Sequence, residues 1–202
     1  MRALLLDDEA RNGPQTLPAT FGKIKEPIMR LTNLWRALDA QPGPEAVGIY
    51  RTQATALYRI AEIVGQAPMR SPSVFNFYLP DNPLVPGSDL AGPETQILSE
   101  INVAATNNML LQAIYGDNSR SVEVRQNMTQ IQIEPLVELA RDPVALLDWL
   151  DLVLCAGQLP PPIRSEIEAL VSARPDDDEG RYTRALDALY CIVGAPFHLV
   201  QK

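Results

Sequence analysis

Residues 70–81 read Arg-Ser-Pro-Ser-Val-Phe-Asn-Phe-Tyr-Leu-Pro-Asp. Three of the chain's ten Phe and Tyr side chains fall here within four positions, at Phe75, Phe77 and Tyr78, between Pro72 and Pro80. A helix cannot run through Pro72, because the ring removes a backbone donor and clashes with the preceding turn. The segment is also too apolar for a solvated loop. The expectation is a loop or short helical turn pinned by its own rings, with core packing as its main job. If the chain is extended there, Phe75 and Phe77 share one side, with Asn76 and Tyr78 on the other. One side would then be buried and one presented.

Downstream, residues 79–93 carry Pro80, Pro83, Pro86, Gly87 and Gly92 and read as a long ordered loop, the kind that is often functional. Pro93 and Glu94 then open a helix, whose expected buried face is Ile97, Ile101, Ala104, Asn108, Leu111 and Tyr115. Upstream, Ile24, Ile28, Leu31, Trp35 and Leu38 repeat at helical spacing, and Pro27 suits a first turn. Tyr50, Ala54, Leu57, Ala61 and Val64 mark another helix, which Gly65 would end in a left-handed turn. Alternation at 121–133 suggests short strands turning near Asn127.

The last third is helical again. Asp142 with Pro143 starts one helix, lined by Val144, Leu147, Leu150 and Leu154 up to Gly157. A run of prolines at 160–162 starts the next, with Ile163, Ile167, Leu170 and Val171 inward. An acidic turn from Asp176 opens the last, with Tyr182, Ala185, Leu186, Leu189 and Val193 inward. The fold reading is one all-α, irregular helical domain over 1–202, with about seven to nine helices and one long Pro-rich loop. Where the alternation at 121–133 holds, it adds one small β-hairpin. The amino terminus reads as the last turns of a helix, so the chain is expected to be the carboxy-terminal part of something longer.

Composition narrows the function classes. Net charge is −8, and the Lys and Arg residues are scattered, so the basic stripe that nucleic-acid binding needs is missing. No apolar run is long enough for a membrane helix. The single histidine, His198, excludes the usual His-rich metal sites, and no cofactor or metal is expected. Cys155 and Cys191 sit in apolar helical segments and read as buried thiols.

No catalytic constellation survives inspection. Phosphate loops, nucleophile elbows and paired zinc-binding histidines are absent from the sequence. Nothing places a nucleophile beside His198, which reads as a partly exposed or satisfied histidine near the terminus. Asp148 and Asp151 share a helix side, read as a solvated face. Asn108 interrupts an apolar face and should bond a neighbouring backbone or a ligand. The candidate binding set is Arg70, Ser71, Phe75, Asn76, Phe77, Tyr78, Glu94 and Asn108, with no catalytic residue among them.

The run 70–81, followed by Leu-Ala-Gly-Pro-Glu-Thr-Gln-Ile-Leu at 90–98, resembles the signature of the bacterial "domain of unknown function 1800" family. Phe-Gly-Lys-Ile-Lys-Glu-Pro-Ile-Met-Arg-Leu at 21–31, Gly-Gln-Leu at 157–159 and Ala-Pro-Phe-His-Leu-Val-Gln-Lys at 195–202 are similar to its flanks. In two respects the chain departs: His198 replaces a less distinctive residue, and the loop at 82–92 is shorter than usual. The resemblance implies a longer, largely helical parent, often exported to the periplasm or envelope. It also implies neighbouring genes for a sulfatase-like family, and no established activity. The leading reading is a non-catalytic interaction or scaffold module. Its partner would be the sulfatase-like product or the rest of the parent chain, with no nucleic acid and no membrane span. The alternative is part of an enzyme whose site needs the amino-terminal region or that partner.

Overall fold

The Asp142 carboxylate accepts from the Val144 amide at 2.9 Å, and Pro143 takes the first helical position. That pairing satisfies one free donor and places the proline where its missing donor costs nothing. The computed structural model describes residues 2–8, 10–12, 22–41, 64–115 and 129–201. Among these residues the fold is all-α, with one two-stranded antiparallel ribbon. The order is α1 (Arg2–Leu6), β1 (Lys23–Ile24), α2 (Pro27–Ala37), a 3-10 turn (Pro93–Ile97) and α3 (Glu100–Tyr115). Then come α4 (Glu134–Leu139), α5 (Pro143–Cys155), α6 (Pro161–Ser172), α7 (Asp178–Gly194), α8 (Pro196–Leu199) and β2 (Val200–Gln201).

Helix α7 is the centre of the core and packs against α3, α4, α5 and α6. Its buried face includes Ala185, Ala188, Leu189, Ile192 and Val193. The two alanines let neighbouring helices approach, while the larger residues fill the grooves between them. Leu146, Leu147, Leu150 and Leu154 of α5 meet this face. The Asp177 carboxylate caps α7 by accepting from the Gly180 amide at 2.7 Å. At the other end of α5, Ala156 (φ 55°) and Gly157 (φ 71°) turn the chain through the left-handed region. Gly65 (φ 74°) does the same after Val64, where the sequence placed a helix end.

The small sheet is not the one expected. Lys23 pairs with Gln201 and Ile24 with Val200, joining two distant parts of the chain. A turn near Asn127 lies outside the described residues, as do Val122, Val124 and most of the helix expected at 50–64. Gln130 instead exchanges two 2.8 Å backbone hydrogen bonds with Gln41, and Ile131 and Ile133 pack half-buried on the core.

Four readings need correction. First, Pro93 and Glu94 open the separate 3-10 turn, and α3 starts at Glu100. Second, the buried face of α3 is Thr106, Met109, Leu110 and Ile114. Ile101 is 78% exposed, and Ala104 and Asn108 are also exposed. Apolar residues lie on both sides of this helix, so spacing supports two stripes, and packing against α7 chooses between them. Third, Val144, Leu170 and Tyr182 are exposed edges of their helices rather than core. Fourth, Asp148 and Asp151 do not share a solvated face. Asp148 is exposed and pairs with Arg164 at 2.7 Å. Asp151 is buried and accepts from the Leu159 amide at 2.9 Å, fixing the loop after α5.

Candidate functional site

The aromatic segment is held by its own polar groups. Ser73 Oγ accepts from the Phe75 amide at 3.1 Å, and the Ser73 carbonyl accepts from the Asn76 amide at 3.2 Å. Asn76 adopts φ 71°, a left-handed conformation that asparagine tolerates better than most residues. This bend ends any extended run, so the two-sided alternation does not form. The Leu79 amide donates to Gln96 Oε1 at 2.6 Å, fastening the segment to the 3-10 turn.

The following loop is a miniature ribbon. Leu84 donates to the Leu90 carbonyl at 2.7 Å, and Gly92 donates to the Asn82 carbonyl at 2.8 Å. Asn82 Nδ2 donates to Thr95 Oγ1 at 2.8 Å and to the Pro83 carbonyl at 3.1 Å. Gly92 is required by close approach: a Cβ there would lie 2.7 Å from Leu84 Cα and 2.8 Å from Leu84 Cδ1. Gly92→Ala should therefore destabilise the chain by about 1–3 kcal/mol, the usual cost of overpacking. Urea unfolding would measure it, and an unchanged midpoint would show that the ribbon yields freely.

On this stitched backbone the apolar side chains face outward. Val74 is 94% exposed and Phe75 60%, and Met69, Leu79, Val85 and Leu90 are exposed as well. Core packing as the main job of the segment is thus overturned for Phe75; Phe77 and Tyr78 are only half-buried. Arg70, Ser71 and Asn76 are exposed too. Asn108 is solvent-facing and does not meet the segment as expected. Its neighbour Asn107 points inward, with Oδ1 3.4 Å from Arg30 Nη2.

Tyr78 marks a polar junction that sequence reasoning missed. Its hydroxyl donates to Glu26 Oε1 at 2.6 Å, and Gln66 Nε2 donates to the other oxygen of Glu26. Gln66, itself buried, accepts from the Ile28 amide at 3.2 Å. Burial and the Glu26 hydrogen bond raise the Tyr78 pKa well above the usual phenol value, with the Glu94 charge adding to the effect. Glu94 is buried and pairs with Lys23 at 3.2 Å. The expected role of Glu94, charge at the start of a long helix, gives way to this ion pair. Lys23 and Glu26 lie in the family-like flank at 21–31, but nothing in the sequence pairs them or Gln66 with Tyr78 and Glu94; they meet because β1 and the start of α2 pack beside the loop.

His198, in α8, is fully buried. Its Nδ1 is 3.2 Å from the Val193 carbonyl and its Nε2 is 3.2 Å from the Asn33 carboxamide. Burial, with the charges of Lys25 and Arg30 nearby, lowers its pKa to about 3. The ring is therefore neutral at ordinary pH. A neutral ring carries one N–H, so it donates to one of these two oxygens, the Val193 carbonyl or Asn33 Oδ1. Arg30 Nη2 donates to the same Val193 carbonyl at 2.8 Å. His198 is a satisfied core histidine, as the sequence suggested, but without exposure. Cys155 and Cys191 are free thiols, and burial pushes Cys155 up to about 11.

The family model described as "Protein of unknown function (DUF1800)" matches residues 1–200. The chain belongs to the DUF1800 family. The signature at 70–81 is thus where this DUF1800 member presents its aromatic loop. No curated protein and no solved structure is significantly similar to the chain. Among the described residues, no group of three or more His, Cys, Asp or Glu side chains is placed to hold a metal ion. No helix there is long and apolar enough to cross a membrane.

Proposed function

We propose that this DUF1800 chain is a non-catalytic interaction module that docks a protein partner on residues 69–90. The observation that carries the reading is the exposure of Val74 and Phe75 on a loop fixed by its own hydrogen bonds. Ordering a loop costs conformational free energy, and an ordered apolar surface in water gains nothing from that order without an occupant. A prearranged aromatic anchor lowers the entropy lost on binding. The partner class implied by the family resemblance is the sulfatase-like product of a neighbouring gene.

The polar residues weigh against the enzyme alternative. Glu26, Tyr78 and Gln66 bond one another, and Glu94 bonds Lys23, which is what a scaffold junction needs. Arg70, Asn76 and Asn108 face solvent rather than converging with Glu94 on a cleft.

The test is a calorimetric titration of the chain with the purified sulfatase-like product. Phe75→Ala combined with Val74→Asp should weaken binding by at least about 30-fold, the scale of losing an anchor residue. The thermal midpoint should stay within about 2 °C, since both side chains are exposed. Equal affinity of the variant, or no binding by the wild-type chain, would sink the proposal.

A further inference from the structure

A second candidate surface is formed by residues outside 69–90. A pocket of about 240 Å³ opens between α2, the carboxyl end of α5 and β2. Lys25, Asn33 and Arg36 line it, together with the apolar side chains of Met29, Val153 and Val200. Its charge balance is unusual for a chain of net charge −8: both charged residues in the lining are cations. Lys25 is half-buried, and its Nζ donates to the Leu154 carbonyl at 3.1 Å, with Asn33 Oδ1 at 3.5 Å. Neither partner is anionic. Arg36 has no ion pair among the described residues. The carboxylates nearby are engaged elsewhere: Asp151 accepts from the Leu159 amide, and Glu26 from Tyr78 and Gln66.

Half-burying an ammonium among neutral oxygens is costly, and an opposite charge relieves the cost. Burial indeed lowers the Lys25 pKa, and the Arg30 charge behind it acts in the same direction. The geometry points to this pocket as a binding site for a small organic carboxylate, its head between Lys25 and Arg36 and its apolar body against Met29, Val153 and Val200. Arg36 offers a planar fork matched to a carboxylate, and Lys25 a point charge. At about 30 Å³ for each water-sized group, the volume admits roughly eight non-hydrogen atoms. Cys155 forms part of the pocket wall, and burial raises its thiol pKa to about 11.

The test is an NMR titration of the whole chain at fixed ionic strength, following the amides of Lys25, Ala156 and Gln201. Hexanoate, hexanamide, acetate and inorganic phosphate serve as probes. Hexanoate should give saturable shifts, bind at least about tenfold tighter than acetate or phosphate through its apolar body, and exceed hexanamide by a similar factor. Arg36→Gln, at an exposed position that leaves the fold intact, should weaken hexanoate at least about fivefold. Lys25→Met should do the same or more. Should Lys25→Met fail to fold, Arg36→Gln alone decides. Equal binding of hexanamide, equal binding of acetate or phosphate, or an Arg36→Gln variant with wild-type affinity would each overturn the assignment.

Discussion

Lowering the pH from 6.5 towards 3 should cost the chain about 1.4 kcal/mol of stability per pH unit through His198 alone. The unfolded imidazole titrates near 6.5 and the folded one near 3, so between those values the unfolded state binds more protons. Stability from this group is therefore complete above 6.5 and drains away as pH falls through the window. Acid must either charge a fully buried ring beside Lys25 and Arg30 or unfold the chain. Carboxylates also titrate in the lower half of this range, so the decisive quantity is a difference. His198→Asn keeps a polar side chain facing Val193 and Asn33 but cannot titrate. Urea midpoints taken from about pH 7 to about pH 4 should fall more steeply for wild type than for the variant. Parallel curves would show that His198 does not couple folding to pH.

Arg184→Met should destabilise the fold by about 3 kcal/mol, the upper range for charge-assisted hydrogen bonds whose acceptors are left behind. Arg184 is buried in α7. Its Nη1 donates to the Ala140 carbonyl at 3.0 Å, and its Nη2 to the Arg174 carbonyl at 2.7 Å. Those carbonyls lie at the ends of α4 and α6, where intrahelical donors have run out. One guanidinium thus terminates two helices and binds both to the central helix. Methionine retains the stem's packing and removes the donors together with the charge that faces Asp176 at 3.5 Å. A loss under about 1 kcal/mol in chemical denaturation would mean that water reaches those carbonyls.

The sequence disclosed what local chemistry decides. Asp142 with Pro143, Pro27, Gly65 and Gly157 each mark a helix end through a backbone rule that needs no neighbour. The signature at 70–81 disclosed the family. Faces were harder. In α3, Ile101 and Leu111 compete with Met109 and Leu110, and periodicity cannot say which stripe meets α7. For that reason spacing puts Asn108 on the buried stripe, whereas Asn107 is the one of the pair that turns inward. The polar junctions were not legible at all, because they join residues far apart in the chain. Tyr78 and Glu26 are 52 positions apart, and His198 and Asn33 are 165 apart. Phe75 misled in the opposite sense: an aromatic ring in a Pro-bracketed segment suggests core, and only the Ser73 and Asn76 turn reveals that it points outward.

Residues 69–90 are proposed to act as a prearranged docking face. Amide hydrogen exchange of the chain, alone and saturated with the sulfatase-like product, locates the footprint directly. Slowed exchange is expected within 69–90, with the buried faces of α5 and α7 unchanged. A footprint confined to other surfaces, with 69–90 exchanging at the same rate in both states, would contradict it.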